Sequence, residues 1–173
     1  MTVEEMEQAL EDVGARLARQ HLHADIVLAG GAWMALVLGA RPVTKDIDAY
    51  LAPPADPVRR AALEVAAERS LPPDWLNDGI KGFFFRNPPQ TLWREFGGLS
   101  VYAVSADYML ALKIYAARQA DQEDVQVLIR HLGLTTLASV LNIVEQYIPA
   151  RLLTAQHQYF AESCLAAISG EGA

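Results

Sequence analysis

The stretch GGAWMAL at residues 30–36, followed by TKDID at residues 44–48, decides the fold. A short apolar run rich in β-branched residues, 26–29, precedes the two glycines and predicts a buried strand that ends in a turn. Residues 32–38 then predict a helix that is stopped by a glycine and a proline. Residues 45–51 alternate in polarity and predict a second strand.

The two aspartates of this second strand predict a metal–phosphate site. Alternate side chains of a strand share one face, so Asp46 and Asp48 are expected to point the same way. Two carboxylates on one face repel each other unless a cation lies between them, and magnesium prefers one or two carboxylates together with phosphate oxygens. Gly30 and Gly31 lack side chains, so a phosphate can approach their backbone and the start of the following helix. Taken singly, an Asp-x-Asp pair is typical of a solvated strand edge and a Gly-Gly pair of a turn.

Further helices and strands are expected on both sides of this segment. Thr2 is predicted to cap a helix over residues 3–20. A second helix near residues 58–69 is bounded by proline-rich breaks. Phe83–Phe85 and Leu99–Val104 predict two more strands, the first as part of the core rather than as a platform for stacking bases.

The chain beyond the last predicted strand is expected to be helical. Apolar stripes at helical spacing recur from residue 106 onward and are punctuated by Gly133 and Pro149. The fold class is therefore α/β (α+β), with a small mixed β-sheet core flanked by helices and an all-helical C-terminal third. We expect an α/β core over residues 1–118 and a helical extension over residues 119–173 that packs on the core.

Composition and charge limit the classes of function. The single cysteine, Cys164, cannot form an internal disulfide and is predicted to pack in the core. The net charge is -7, and no basic excess supports a broad nucleic-acid surface, although a single nucleotide or one RNA end can still be held locally. The start of the chain is acidic, and its longest apolar stretch, residues 26–38, is too short and too interrupted to span a bilayer. We expect a soluble, cytoplasmic protein.

A family resemblance rests on two separated motifs. Residues 30–36, with Arg41, Thr44 and the Asp46-Ile47-Asp48 triplet, resemble motif one of the polymerase-beta-like nucleotidyltransferase superfamily. More narrowly, they are similar to its AbiEii/AbiGii toxin-type branch and relatives. In that branch a downstream helix carries a lysine, an arginine and two aspartates three apart, and the matching residues here are Lys113, Arg118, Asp121 and Asp124.

The resemblance implies a role for each matching residue. Asp46 and Asp48 would bind one or two magnesium (or manganese) ions, and Gly30 and Gly31 would cradle the triphosphate of an NTP. Six further residues have implied roles. Thr44, Lys45 and Arg118 would bind the nucleotide, Lys113 would neutralise phosphate charge, and Asp121 or Asp124 would complete the site or orient that lysine. The implied reaction is in-line attack of a hydroxyl on the α-phosphorus, with release of pyrophosphate. The acceptor would be a protein, a small molecule or an RNA end.

On a single helix, Lys113, Ala117, Asp121 and Asp124 would share one face, so Lys113 is expected to face the same site as the strand aspartates. The two downstream aspartates have a second interpretation, since acidic residues are favoured in the first turn of a helix. We leave both interpretations open.

Two departures from the family pattern leave an alternative function open. Many members carry a third carboxylate on a later strand, but Leu99–Val104 contains no acid, and none of the acids Asp78, Glu95 and Asp107 matches the position cleanly. Ala32 also replaces a small hydroxyl residue. The alternative is a catalytically silent nucleotide-binding or interaction module of a two-component, toxin–antitoxin-like system with a cognate antitoxin protein. A toxin that modifies tRNA is a third possibility and rests on family analogy alone.

Two other motifs have weaker chemical interpretations. His21 and His23 resemble a metal pair, but their position at the end of the first helix favours a polar helix end. The segment Trp75-Leu76-Asn77-Asp78 predicts a loop anchored by a buried Trp75, or a segment that borders the pocket.

Overall fold

The computed structural model describes residues 1–83 and 88–170. Among these residues the chain forms five strands in one mixed sheet and seven α-helices. The strands are β1 (Ala24–Leu28), β2 (Ile47–Leu51), β3 (Leu76–Asn77), β4 (Gln90–Phe96) and β5 (Leu99–Val104). The helices are α1 (Val3–Arg19), α2 (Gly30–Leu36), α3 (Asp56–Arg69), α4 (Ala106–Ala116), α5 (Gln122–His131), α6 (Leu137–Tyr147) and α7 (Ala155–Gly170). The predicted mixed α/β fold class is confirmed.

The chain divides into two compact units. Among the described residues, the sheet unit comprises residues 1–82 and 90–104, and the helical unit comprises residues 105–170 together with residue 83 and residues 88–89. The expected boundary at residue 118 falls inside the helical unit, between α4 and α5. The helical unit begins at residue 105 because Val104 ends the last strand and α4 begins two residues later.

The sheet of the first unit has the strand order β3-β2-β1-β5-β4. The central strand β1 pairs with β2 in antiparallel and with β5 in parallel orientation. The edge strands extend this core, β3 in parallel to β2 and β4 in antiparallel to β5. This order puts β2, which carries Asp48, between β1 and the short strand β3.

The first helix follows directly from its sequence. The Thr2 hydroxyl accepts a hydrogen bond from the Glu5 N–H, and the Glu5 carboxylate accepts one from the Thr2 N–H. Both hydrogen bonds of a capping box are therefore present. The buried stripe of α1 packs on β4 and β5 and against α3. Gly14 lies in this contact, because a Cβ there would fall 1.6 Å from the carbonyl oxygen of Phe96.

One sequence prediction about the strands needs correction, one strand was missed, and one prediction falls largely outside the described residues. The strand expected over residues 45–51 begins at Ile47, so Lys45 and Asp46 lie in a bend before it. The reason is that pairing starts only at Ile47, whose N–H donates to the Trp75 carbonyl. The strand β4 was not predicted. The strand expected at Phe83–Phe85 lies outside the described residues from Phe84 onward, and Phe83 ends a 3-10 turn, Gly79–Phe83.

The helical unit is built on α4, which packs against α5 and α6, and on α7, which packs against α5 and α6 in turn. Gly133 and Pro149 lie between the helices, as predicted. Cys164 is fully buried in α7, and burial raises the pKa of its thiol to about 11. No helix of the described residues is both long and apolar enough to cross a membrane.

Candidate metal and phosphate site

Gly30 is the point at which the chain turns from β1 into α2. Its φ is +63°, a left-handed conformation that favours glycine. A Cβ at this position would also lie 2.7 Å from Oδ2 of Asp48, closer than real side chains approach. The preceding residue, Ala29, donates its N–H to the Asp48 carbonyl at 3.1 Å. The backbone conformation therefore favours glycine at residue 30, and a side chain there would have to displace the Asp48 carboxylate.

Gly31 faces the loop that leads into β2. A Cβ at Gly31 would lie 2.6 Å from Oγ1 of Thr44 and 3.9 Å from Nη1 of Arg41. The Thr44 hydroxyl donates to the Asp46 carbonyl at 3.2 Å, and the Thr44 N–H donates to the Met1 carbonyl at 2.9 Å. Thr44 is thus held on both sides with its hydroxyl against the second glycine.

Asp46 and Asp48 lie in each other's electric field. Partial burial raises the pKa of Asp46, and the Asp48 charge raises it further. The Lys45 charge opposes this rise, while Asp74 adds to it. Both aspartates are half-buried, and Ile47 between them is fully buried. Because Asp46 precedes the strand, strand alternation does not place its side chain, but the mutual repulsion of the two charges is retained.

Asp46 and Asp48 offer two carboxylates, which is the number that magnesium uses when it also contacts phosphate. Among residues 1–83 and 88–170, no group of three or more His, Cys, Asp and Glu side chains could hold a metal ion. Magnesium requires only one or two carboxylates when phosphate and water oxygens complete its octahedron. Because Gly30 has no side chain, the Asp48 carboxylate can lie directly against the start of α2.

The acids that the sequence offered as a third carboxylate have other partners. Asp78 accepts from the Leu51 N–H at 3.3 Å and from Arg59 at 3.0 Å. Glu95 accepts from the Ser100 hydroxyl at 3.4 Å. In the helical unit, Asp107 accepts from the Tyr147 hydroxyl at 2.6 Å. Each of these contacts is structural and explains the carboxylate without a metal.

The downstream motif forms a buried ion cluster inside the helical unit. The Lys113 ammonium forms ion pairs with Asp121 and, at 2.7 Å, with Asp124. Lys113 is 6% exposed and Asp124 is 3% exposed. Two carboxylates surround one ammonium, so the cluster carries a net negative charge when all three groups are ionised.

The prediction that one continuous helix carries this motif is wrong. Helix α4 ends at Ala116, and Ala117 has a φ of 46°, in the left-handed region. A 3-10 turn, Gln119–Asp121, then leads into α5. The turn brings Asp121 and Asp124 back onto Lys113, an arrangement that helical spacing alone does not anticipate.

The positions of Asp121 and Asp124 also correspond to their second interpretation, as acidic residues favoured at the start of a helix. Asp121 is the N-cap residue of α5, and Asp124 lies in its first turn, where the helix dipole favours negative charge. Arg118 is exposed and lies at the N-cap of the 3-10 turn. Asp46, Asp48, Gly30, Gly31, Thr44 and Lys45 belong to the sheet unit, whereas this motif belongs to the helical unit.

Sequence reasoning underestimated Asn77. Trp75 is fully buried and donates from Nε1 to the Ala62 carbonyl at 2.9 Å, as expected of an anchor. The two residues after it form β3, which puts Asn77 directly beside Asp48 in the parallel register. The available signal was the polar Asn-Asp-Gly segment that follows a buried tryptophan, but the pairing partner of this short strand cannot be read from local sequence.

The paired histidines have structural contacts. His21 lies just beyond the C-cap of α1 with a φ of 56°. His23 Nε2 lies 3.0 Å from the Ser100 hydroxyl and 3.4 Å from the Asp25 carboxylate. The polar helix end predicted for this pair matches these contacts.

Comparison with known proteins gives no independent family assignment. No family model matches the chain, and searches of curated proteins and of solved structures found no match. The residues and geometry of the site are therefore what support a function for this chain.

Proposed function

We propose that the sheet unit binds a nucleoside triphosphate with magnesium and transfers its nucleoside monophosphate to a hydroxyl acceptor. The observation that carries this proposal is the fit between the two motifs. Gly30 leaves room for the Asp48 carboxylate, and Gly31 leaves room for the Thr44 hydroxyl. A role in the turn alone does not explain why the two glycines lie against an aspartate and a threonine of the second motif.

Each residue of the site has a distinct task in this proposal. Asp46 and Asp48 hold magnesium, which when bound neutralises phosphate charge and stabilises the leaving pyrophosphate. The backbone at Gly30 and Gly31 lets the triphosphate approach closely. Thr44 holds its hydroxyl oxygen next to the second glycine, and Lys45, which is exposed, adds positive charge beside the aspartates.

The transfer itself balances without a further reactant. The acceptor oxygen forms a bond to the α-phosphorus while the bond from that phosphorus to the bridging oxygen of pyrophosphate breaks. The hydroxyl proton leaves to solvent. The protein contributes position and charge, which supply most of the catalysis in phosphoryl and nucleotidyl transfer.

Lys113 is better suited to holding the helical unit together than to neutralising phosphate. Its ammonium is buried between Asp121 and Asp124, and a net negative cluster does not attract a phosphate. Of the two roles that the family resemblance offers for these aspartates, orienting Lys113 agrees with the ion pairs.

The test is transfer of label from an NTP that is labelled at its α-phosphate, with magnesium and a cell extract as source of acceptor. We expect labelled product with the wild type and none with Asp48→Ala. Asp25→Ala is the matched control, because Asp25 lies on the neighbouring strand β1, at the end away from Gly30. Equal labelling by wild type and Asp48→Ala would overturn the proposal.

A catalytically silent nucleotide-binding module is the second candidate. It is favoured by one observation, namely that the described residues contain no carboxylate, histidine or cysteine to complete a cluster of three. Magnesium-dependent NTP binding by the wild type, lost in Asp48→Ala, with no labelled product from any extract, would support this candidate over the enzyme.

A further inference from the structure

Asn77 lies beside Asp48 across the pairing of β2 and β3. The two residues are direct partners in the parallel register, and Ile47 pairs with Leu76 in the same way. Side chains of paired residues emerge on the same face of a sheet. Ile47 and Leu76 are buried, so the opposite face carries Asp48 and Asn77, both of them half-exposed.

The carboxamide of Asn77 has a fixed orientation. Its Oδ1 accepts a hydrogen bond from the Gly79 N–H at 2.9 Å, which identifies the oxygen rather than the nitrogen as the atom on this side. A carbonyl oxygen has two lone pairs, so one acceptor position remains after this bond. The hydrogen bond from Gly79 therefore orients the Asn77 oxygen and leaves one of its lone pairs available to bind a metal ion.

Gly79 leaves space that both oxygens border. A Cβ on Gly79 would lie 2.8 Å from Oδ1 of Asn77 and 3.7 Å from Oδ1 of Asp48. Both side-chain oxygens thus lie within 4 Å of one point that holds no atom of residue 79. On its other side the Asp48 carboxylate borders Gly30, so glycines flank it in both directions.

We propose that Oδ1 of Asn77 is the third oxygen donor of the metal site. This inference rests on the proposed function, because it concerns the magnesium held by Asp46 and Asp48. Amide and carboxylate oxygens are both hard donors that suit magnesium and manganese. Because the amide is neutral, the three protein ligands together carry two negative charges, whereas three carboxylates would carry three.

The alternatives to Asn77 on this face are less suitable. Asp78 points its oxygens at the Leu51 N–H and at Arg59, so its carboxylate already has partners. Asp74 is exposed, and its influence on Asp46 is that of a nearby charge. Asn77 is the residue that combines strand pairing with Asp48 and an oriented oxygen.

The test exchanges a hard donor for a soft one at residue 77. Binding of Mn²⁺ in the presence of ATP is measured from the loss of the free-ion paramagnetic resonance signal, for wild type, Asn77→Cys, Asn77→Asp and Asp48→Ala. We expect Asn77→Cys to weaken Mn²⁺ binding by about tenfold or more, and Asn77→Asp to retain it. Thiolates favour soft metals, so Asn77→Cys should in turn bind Cd²⁺ with a thiolate absorption band.

The Cd²⁺ band separates a metal ligand from a merely structural asparagine, since loss of the Gly79 hydrogen bond alone creates no new metal preference. The band should disappear in Asn77→Cys/Asp48→Ala, and the wild type, whose single cysteine is buried, is its baseline. Unchanged Mn²⁺ affinity in Asn77→Cys, or a band that survives the Asp48 substitution, would overturn the inference and leave the proposed function standing. If wild type and Asp48→Ala bind Mn²⁺ equally, both fail.

Discussion

A Cβ on Gly30 would lie 2.7 Å from Oδ2 of Asp48. The first residue of α2 and the second aspartate of the Asp-x-Asp pair are therefore fitted to each other, although they lie in different elements of the chain. The same holds for Gly31 and Thr44. These two close approaches explain why the sequence uses two consecutive glycines after β1 rather than the single glycine that the turn requires.

The first prediction concerns Gly30→Ala. We expect it to lower the free energy of unfolding by more than Gly39→Ala, which is the matched control. Both glycines have a positive φ, +63° and +66°, but a Cβ on Gly39 meets nothing within 4 Å. The control therefore measures backbone strain alone, about 1–2 kcal/mol, and the excess measures the conflict with Asp48.

Urea unfolding of the two variants gives the comparison. The excess cost of Gly30→Ala should shrink in an Asp48→Ala background, because the carboxylate that the new methyl group meets is then absent. Equal costs for Gly30→Ala and Gly39→Ala would show that the contact with Asp48 has no energetic consequence.

The second prediction is that Asp46→Asn stabilises the metal-free protein. The folded-state pKa of Asp46 is raised, so the ionised form is disfavoured by folding and its cost is present above that pKa. The cost is lost as the pH falls through the folded pKa and Asp46 is protonated. We expect a gain of about 0.5 kcal/mol at neutral pH, as for other partly exposed charge pairs.

Urea unfolding in the presence of a chelator tests this gain. With magnesium and NTP the order should reverse, because the wild type binds the ion with one more carboxylate than the variant does. A metal-free Asp46→Asn protein that is less stable than the wild type at neutral pH would refute the expected repulsion.

Much of the sheet unit can be predicted from local sequence, and the failures have physical causes. The capping box of α1 and the apolar run of β5 are local signals, and the structure contains both elements. The edge strand β4 was missed because all seven of its residues are exposed or half-exposed, and a register shift between Leu92 and Arg94 interrupts its alternation.

The upstream and downstream parts of the candidate site could be predicted to different degrees. The glycines and aspartates could be linked because their chemistry and order are local features of the sequence. The end of α4 could not be predicted, because no glycine or proline lies between Ala116 and Gln119. The break accompanies the ion pairs of Lys113 with Asp121 and Asp124, which form only when the chain turns back after α4. Asn77 depends on the pairing of a two-residue strand, which is likewise a property of the folded chain.

The third prediction concerns Lys113→Met. Removal of the ammonium leaves Asp121 and Asp124 without their buried counter-charge, so we expect a loss of about 3–5 kcal/mol in the free energy of unfolding. Lys113→Met/Asp121→Asn/Asp124→Asn should recover part of that loss, because no buried charge is then left uncompensated.

Chemical unfolding and NTP affinity are to be measured on the same preparations. Our interpretation of Lys113 as a residue that joins α4 to α5 would be contradicted by a Lys113→Met protein of unchanged stability and strongly reduced NTP affinity.

The fourth prediction is a pH dependence in the helical unit. Burial tends to raise the pKa of Asp107, but the hydrogen bonds donated by the Tyr147 hydroxyl and the Tyr108 N–H, together with the nearby Ser105 hydroxyl, outweigh it, and the pKa lies below its ordinary value. A depressed pKa gives stability that is present above the unfolded-state value and is lost as the pH falls through the folded-state value. Tyr147→Phe should therefore cost about 1 kcal/mol at neutral pH and less in acid.

Unfolding at neutral pH and near pH 3 measures this dependence. Tyr159→Phe is the control, because Tyr159 is 72% exposed. A cost for Tyr147→Phe that is the same at both pH values would rule out the Asp107 hydrogen bond as its source.

The measurement that tests the central claim most directly is thermal unfolding of wild type and Asp46→Ala/Asp48→Ala, with and without magnesium and each of the four NTPs. A ligand at about a hundred times its dissociation constant stabilises the folded state by roughly 2.7 kcal/mol, which raises the midpoint visibly. We predict a magnesium-dependent rise for at least one NTP in the wild type and none in the double variant. The claim that these aspartates hold a metal against a nucleotide is contradicted if the wild type shows no rise with any NTP, or if the double variant shows the same rise.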